Sequence, residues 1–238
     1  IIVLLLIIFF TLHGNAQPSL PDSLQKAIDT AKTKTSLAYA YREAGQFYYS
    51  FYNMEGYNKA AILFEKGRAA ASQTGDSLFI AIAYLSLAQV YDAIGEDKLP
   101  KALEYYSIHQ QAAIKENDTA VIIRTFINIA SVQSRLGEKE AAKNSLNKLT
   151  LLAEKYNQIK ILNKSYVFAA YISSQLNDVN LCRGYFNKIN TSNDTITNGS
   201  LAYRKFYFLT KFYLLGKENK FNDAIAAGED ALKEVNNI

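Results

Sequence analysis

Between residues 84 and 156 the chain writes one arrangement of apolar and polar positions twice. In the first copy Leu87, Ala88, Val90 and Tyr91 lead to Gly95, and Ala102, Leu103, Tyr105 and Tyr106 follow it; in the second Ile129 and Ala130 lead to Gly137, and Ala142 and Leu146 follow. Apolar residues recurring three and four positions apart mark one buried helical face. A Gly closing the first run supplies the left-handed residue on which many helices end. Each copy therefore predicts a pair of helices.

The pattern extends in both directions. Ala60, Ala102, Ala142, Cys182 and Ala224 form a series of small residues separated by 42, 40, 40 and 42 positions. Four positions after them stand Phe64, Tyr106, Leu146 and Phe186, and in the fifth unit Gly228. The first unit is expected to carry Ala44, Phe47, Tyr48 and Phe51 inside its first helix and Ala60, Phe64 and Gly67 inside its second, with Gly56 as the break between them. Asp76-Ser77, Asp118-Thr119 and Asp194-Thr195 precede apolar-periodic stretches and read as N-caps, each worth about 1 kcal/mol. No comparable cap stands near Gln158, and the polar stretch 187–200 predicts a looser junction before the fifth unit. Ahead of the repeats, Pro18-Ser19-Leu20-Pro21 is extended, and Asp22-Ser23 is expected to cap a helix placing Leu24, Ala27, Ile28 and Ala31 on one face. The expected organisation is a linker and capping helix over 17–35 and about five helix pairs over 36–238.

Residues Tyr84, Leu87, Ala88, Tyr91, Ala102 and Tyr106, with Phe126, Ile129, Ala130, Ala142 and Leu146, give the chain its resemblance to the tetratricopeptide repeat family, over about residues 36–236. The resemblance implies an all-α fold, a right-handed superhelical solenoid of stacked antiparallel helix pairs. Two features depart from the family. The period of 40–42 exceeds the usual 34 or so, and no Pro closes the second helix of each unit. Helices about one turn longer would account for the period, as in the longer repeats of kinesin light chains and bacterial regulators. A HEAT- or armadillo-like array, with a period of roughly 40–47, is the competing architecture. In tetratricopeptide arrays the first helix of each pair lines a concave, peptide-binding groove. Carried over position by position, that surface is Arg42, Tyr49 and Tyr52, then Gln89 and Asp92, then Arg124, Asn128 and Ser131, then Lys164 and Tyr171. Arg124 and Asn128 lead this set, since an Asn before the Ile-Ala pair is where related arrays hold a peptide backbone. The alternative is a merely solvated face, because side chains this polar are normal on any surface.

Composition narrows the chemistry. Three Pro, no Trp and 49% hydrophobic residues suit a folded, nearly all-helical chain. A net charge of +4 without any Lys/Arg block lacks the footprint of a nucleic-acid binder. His109 is the only histidine after residue 13, and the sequence has no His-Glu-x-x-His, no paired Cys motif and no phosphate-cradling Gly loop. No metal, cofactor or catalytic residue is expected. Glu138 and Glu140 sit in a charged turn, where a solvated surface outweighs acid/base work. Cys182, a lone cysteine at a small-residue position, reads as a core residue.

Residues 1–12 are apolar except for Thr11, and Gly14 and Ala16 supply the small residues of an export cleavage site after Ala16. With no basic leader and no Met before Met54, the sequence is expected to begin inside a signal peptide covering 1–16. A membrane anchor is the competing reading, but the run falls short of the roughly 20 residues needed to span. Export combined with the repeats resembles the periplasmic arrays that precede a membrane span and a histidine kinase or DNA-binding domain in bacterial signalling proteins. The implied role is a non-catalytic protein- or peptide-binding scaffold, the extracytoplasmic sensing or docking region of such a protein, with membrane attachment through sequence further downstream. The second reading is a docking accessory of an exported enzyme. N-terminal sequencing of the mature protein from its native host is expected to find Gln17 first; a cytoplasmic product retaining Ile1 would contradict export.

Overall fold

The computed structural model describes residues 18–190 and 201–236. The expected signal peptide and the Asp194-Thr195 cap lie outside the described residues, as does most of the polar stretch 187–200. The described helices are α1 (Asp22–Asp29), α2 (Lys34–Tyr49), α3 (Met54–Ala71), α4 (Ser77–Ile94), α5 (Leu99–Lys115), α6 (Thr119–Arg135), α7 (Lys139–Tyr156), α8 (Ile159–Gln175), α9 (Val179–Phe186), α10 (Leu201–Lys217) and α11 (Phe221–Asn236). A turn of 3₁₀ helix covers Glu96–Lys98, and there is no strand among the described residues. The chain divides into two compact units at Ile94/Gly95, between the two helices of the sequence's first copy.

In the first unit α2 and α3 pack as a pair, α4 packs on α3 and touches α2, and α1 lies against α2. The pair closes through small residues. Ala44 and Ala60 are fully buried, and a Cβ added to Gly45 would collide with the Phe64 ring, so the two helices meet where no larger side chain fits. Helix α1 buries no residue of its own, as suits an end piece. It differs from expectation at both ends. Asp22 is its first residue, behind Pro21 and with no side-chain cap bond, and Ala31 lies beyond its end at Thr30. Helix α4 is by length and composition apolar enough to cross a membrane, but Leu87, Ala88 and Val90 are fully buried within the fold.

In the second unit α6 with α7, α8 with α9, and α10 with α11 are the packed pairs, and successive pairs are joined by contacts of α6 with α8 and of α8 with α10. Ala102, Ala142 and Cys182 have no exposed surface, and Ala224 is buried. The main core gathers Ile123, Leu146, Leu149, Tyr166, Val167, Ile172 and Tyr203, with Phe126, Phe168 and Phe206 packed against it. Pair four is uneven, because α9 ends after eight residues at Phe186. The chain beyond α9 is tied back by Asn163 of α8, which is 2% exposed. Its Nδ2 donates to the Asn190 carbonyl at 3.1 Å, and its Oδ1 accepts from the Asn190 N–H at 3.0 Å. A buried side-chain amide thereby satisfies a backbone that has left its helix.

Eight of the joints between helices hold one residue in the left-handed region: Tyr52, Gly75, Gly95, Asn117, Gly137, Asn157, Asn177 and Asn219, at φ between 50° and 79°. At Gly137 the backbone closes α6 with both bonds of a Schellman turn, Glu138 N–H to the Gln133 carbonyl at 2.9 Å and Gly137 N–H to the Ser134 carbonyl at 3.1 Å. At four of these joints the next residue caps the following helix. Asn53 accepts from Gly56 N–H at 2.8 Å, Asp76 from Phe79 at 2.9 Å, and Asp118 and Asp178 from Val121 and Leu181 at 3.0 Å. Gly56 is therefore not the break expected of it. It lies inside α3, and Tyr52-Asn53 makes the turn.

Ion pairs repeat with the same register. Lys143 of α7 meets Asp178 at 3.0 Å, and 40 residues on Arg183 of α9 meets Glu218 at 3.1 Å. The Asp178 carboxyl is held below its ordinary value, first by the Leu181 N–H and then by the Lys143 ammonium.

Gly45→Ala should lower stability by about 1–3 kcal/mol through collision with Phe64. Gly137→Ala, where a Cβ meets open space, should lose only the backbone strain of about 1–2 kcal/mol, most of it restored by Gly137→Asn. Denaturant titration checks both, and a tolerated Gly45→Ala would contradict the close helix approach. Asp178→Ala should cost about 1 kcal/mol at pH 7. Because the native carboxyl titrates below its ordinary value of 3.8, that stability is fully present above 3.8 and is lost as the pH falls through the lower native value. Wild type and variant should converge by about pH 2; a difference that persists there would contradict the assignment.

Candidate functional site

The ten residues expected to line a groove fall on both units and are taken unit by unit. In the second unit Arg124, Asn128 and Ser131 lie on α6 and Lys164 and Tyr171 on α8. Arg124 and Lys164 are exposed, and neither is in an ion pair among the described residues, whereas Lys143, Arg183 and Lys188 on the neighbouring segments all have carboxylate partners. Arg124 and Lys164 come together at one recess of about 420 Å³. Its walls are Ala120, Ile123 and Ile127 of α6, Ile161, Ser165 and Phe168 of α8, and Tyr203 of α10. Among the described residues no carboxylate lines it. Ser165 is occupied by its own helix, donating to the Ile161 carbonyl at 2.8 Å. Tyr203 is 1% exposed, burial pushes its phenol pKa up, and its hydroxyl has no hydrogen-bond partner among the described residues.

Asn128 and Ser131 are half-exposed on α6 outside that recess. Tyr171 is drawn into packing instead. Its ring lies 4.4 Å from that of Phe206, and burial raises its pKa.

In the first unit Tyr49 ends α2, and its ring lies 5.4 Å from Tyr57 and 6.3 Å from Tyr52. Burial first, then Tyr57, Asp92 and Tyr52, push the Tyr49 phenol up to about 12, which places Asp92 of α4 beside this aromatic cluster. Tyr52 is not on the helix that the family rule assigned to it. It sits in the following turn at φ 51°, 76% exposed. Gln89 is exposed on α4. Arg42 borders a cavity of only about 10 Å³, room for one water at most. A wider, more open recess of about 710 Å³ lies between α1 and α2, with Leu24, Ala27, Tyr39 and Ala40 in its lining and both Lys32 and Glu43 on it, and none of the ten expected residues borders it.

Sequence reasoning missed Ile123, Ile127, Phe168 and Tyr203, which give the recess its floor. Lys164 stands 40 residues after Arg124, and Arg204 of α10, which does not line the recess, 40 after Lys164. That repetition of a cation at one register was the available signal. No group of three or more His, Cys, Asp or Glu that could hold a metal occurs among the described residues.

Fold and site together define an all-α protein with a helical-repeat-like arrangement of consecutive helix pairs. No protein-family model and no curated protein matches the chain. Solved structures do, among them the crystal structure of BtubC (BKLC) from P. vanneervenii, with a TM-score of 0.64 over 90% of this chain and 88% of that one. At 14% identity this likeness shows a shared fold.

Proposed function

We propose that the chain is a non-catalytic scaffold of the tetratricopeptide type, its pairs stacked right-handedly, which binds an extended peptide segment of a partner protein along its first helices. The observation that carries this reading is the placing of Arg124 of α6 and Lys164 of α8 at one recess, both exposed and in no ion pair among the described residues, with half-exposed Asn128 and Ser131 on α6 as well. A surface of cations and amides at helical spacing offers charge-assisted hydrogen bonds to carboxylates and to an extended backbone. The apolar, small-residue start of the sequence supports placing the scaffold outside the cytoplasm of a bacterium, as the sensing or docking region of a larger signalling protein.

A pulldown from envelope extract with the wild-type chain and an Arg124→Ala, Asn128→Ala double variant tests the proposal. Charge-assisted bonds of this kind are worth roughly 1.5–3 kcal/mol each, so the variant should bind its partner at least about tenfold more weakly. A variant that is fully helical and keeps its partner at unchanged affinity would move binding to another surface.

A further inference from the structure

We propose that the recess between α6, α8 and α10 is a binding site for a small amphiphilic carboxylate, a free acid with one unbranched alkyl tail. Size is the first argument. At about 30 Å³ per heavy atom, the share of one water in the liquid, a space of about 420 Å³ takes on the order of a dozen heavy atoms. This is within the usual range for small-molecule sites and suits an acid such as decanoate.

The lining sorts into two chemistries. Ala120, Ile123, Ile127, Ile161 and Phe168 give an apolar floor, and among the described residues the only charged groups lining it are Arg124 and Lys164. A ligand matching both has an apolar body and a negative head. An extended peptide laid into the same floor would bring a backbone donor and acceptor with every residue, against side chains that can pair with neither; an alkyl chain brings none. The polar groups are also free to act. Arg124 and Lys164 have no ion-pair partner among the described residues, and the buried Tyr203 hydroxyl is an orphan of the kind that a bound polar atom satisfies. Ser165, already bonded to Ile161, is not needed.

This proposal does not rest on peptide binding, since partner capture and acid binding are separate readouts. The test is a titration of the full chain with decanoate, hexanoate and decanol below their aggregation concentrations, followed by calorimetry and by methyl NMR of Ile123, Ile127 and Ile161. Decanoate should saturate one site and shift those methyl groups. Affinity should fall about fourfold for each methylene removed on the way to hexanoate. Decanol, and decanoate with an Arg124→Gln, Lys164→Gln variant, should bind at least tenfold more weakly. Lys205→Gln, an exposed cation of α10 outside the recess, is the charge control and should change nothing. Absence of a saturable methyl shift, decanol binding as tightly as decanoate, or an unaffected double variant would overturn the proposal. So would displacement of decanoate by a peptide ending in a free leucine carboxylate but not by its amide, because the acid would then be a chain terminus.

Discussion

The structure depends on one small buried side chain in each helix from α2 to α11. In the first unit these are Ala44, Ala60 and Ala88; in the second they are Ala102, Ala130, Ala142, Ala170, Cys182, Thr210 and Ala224. Nine of these ten have no exposed surface, and Ala224 keeps 4%. Helix axes approach to about 8–10 Å only where the side chains at the contact allow it. A small residue permits that approach, and the larger residue four positions on, Phe64, Tyr106 or Leu146, fills the space one turn away. The joints then have little freedom. With helices of 16–18 residues in most pairs, a left-handed residue and a capping side chain are enough to reverse the chain and start the next helix.

From this constraint follows the division of labour among polar residues. Positions facing the neighbouring pair carry charges that cancel, as Lys143 does with Asp178 and Lys188 with Glu154, where the Tyr166 hydroxyl also donates to Glu154 at 2.7 Å. Such partly exposed pairs are worth at most about 1 kcal/mol each, so they mark register more than they hold the fold. On α6 and α8, Arg124 and Lys164 stand exposed with no ion pair among the described residues. The same three helices, α6, α8 and α10, leave the recess between them.

Much of this was legible because the repeat is written in residue size. The series from Ala60 to Ala224 needed only counting, and Gly95 and Gly137 announced their turns. Asn117, Asn157, Asn177 and Asn219 do the same work but were not read that way, since Asn is common in any polar loop. Gly56 misled for the opposite reason, being a glycine where no unusual backbone is required. Tyr52 was misplaced because the family rule counts along a helix that ends at Tyr49. The short α9 and the Asn163 clamp depend on a contact 27 residues away, which no local pattern encodes. The recess needed three helices from three repeats, so only the recurrence of Arg124, Lys164 and Arg204 hinted at it.

Cys182 offers the most direct test of the small-residue account, because it is the one member of the series whose exposure can be read chemically. It has no exposed surface, and burial pushes its thiol up to about 12, so it should behave as a packed alanine equivalent. Timed labelling with a thiol reagent across a urea series should leave the native chain unmodified and show reaction rising with the unfolding transition. Labelling in the absence of urea at the rate of a free cysteine would mean that the fourth pair does not close on Cys182, and the repeat register built on it would fall.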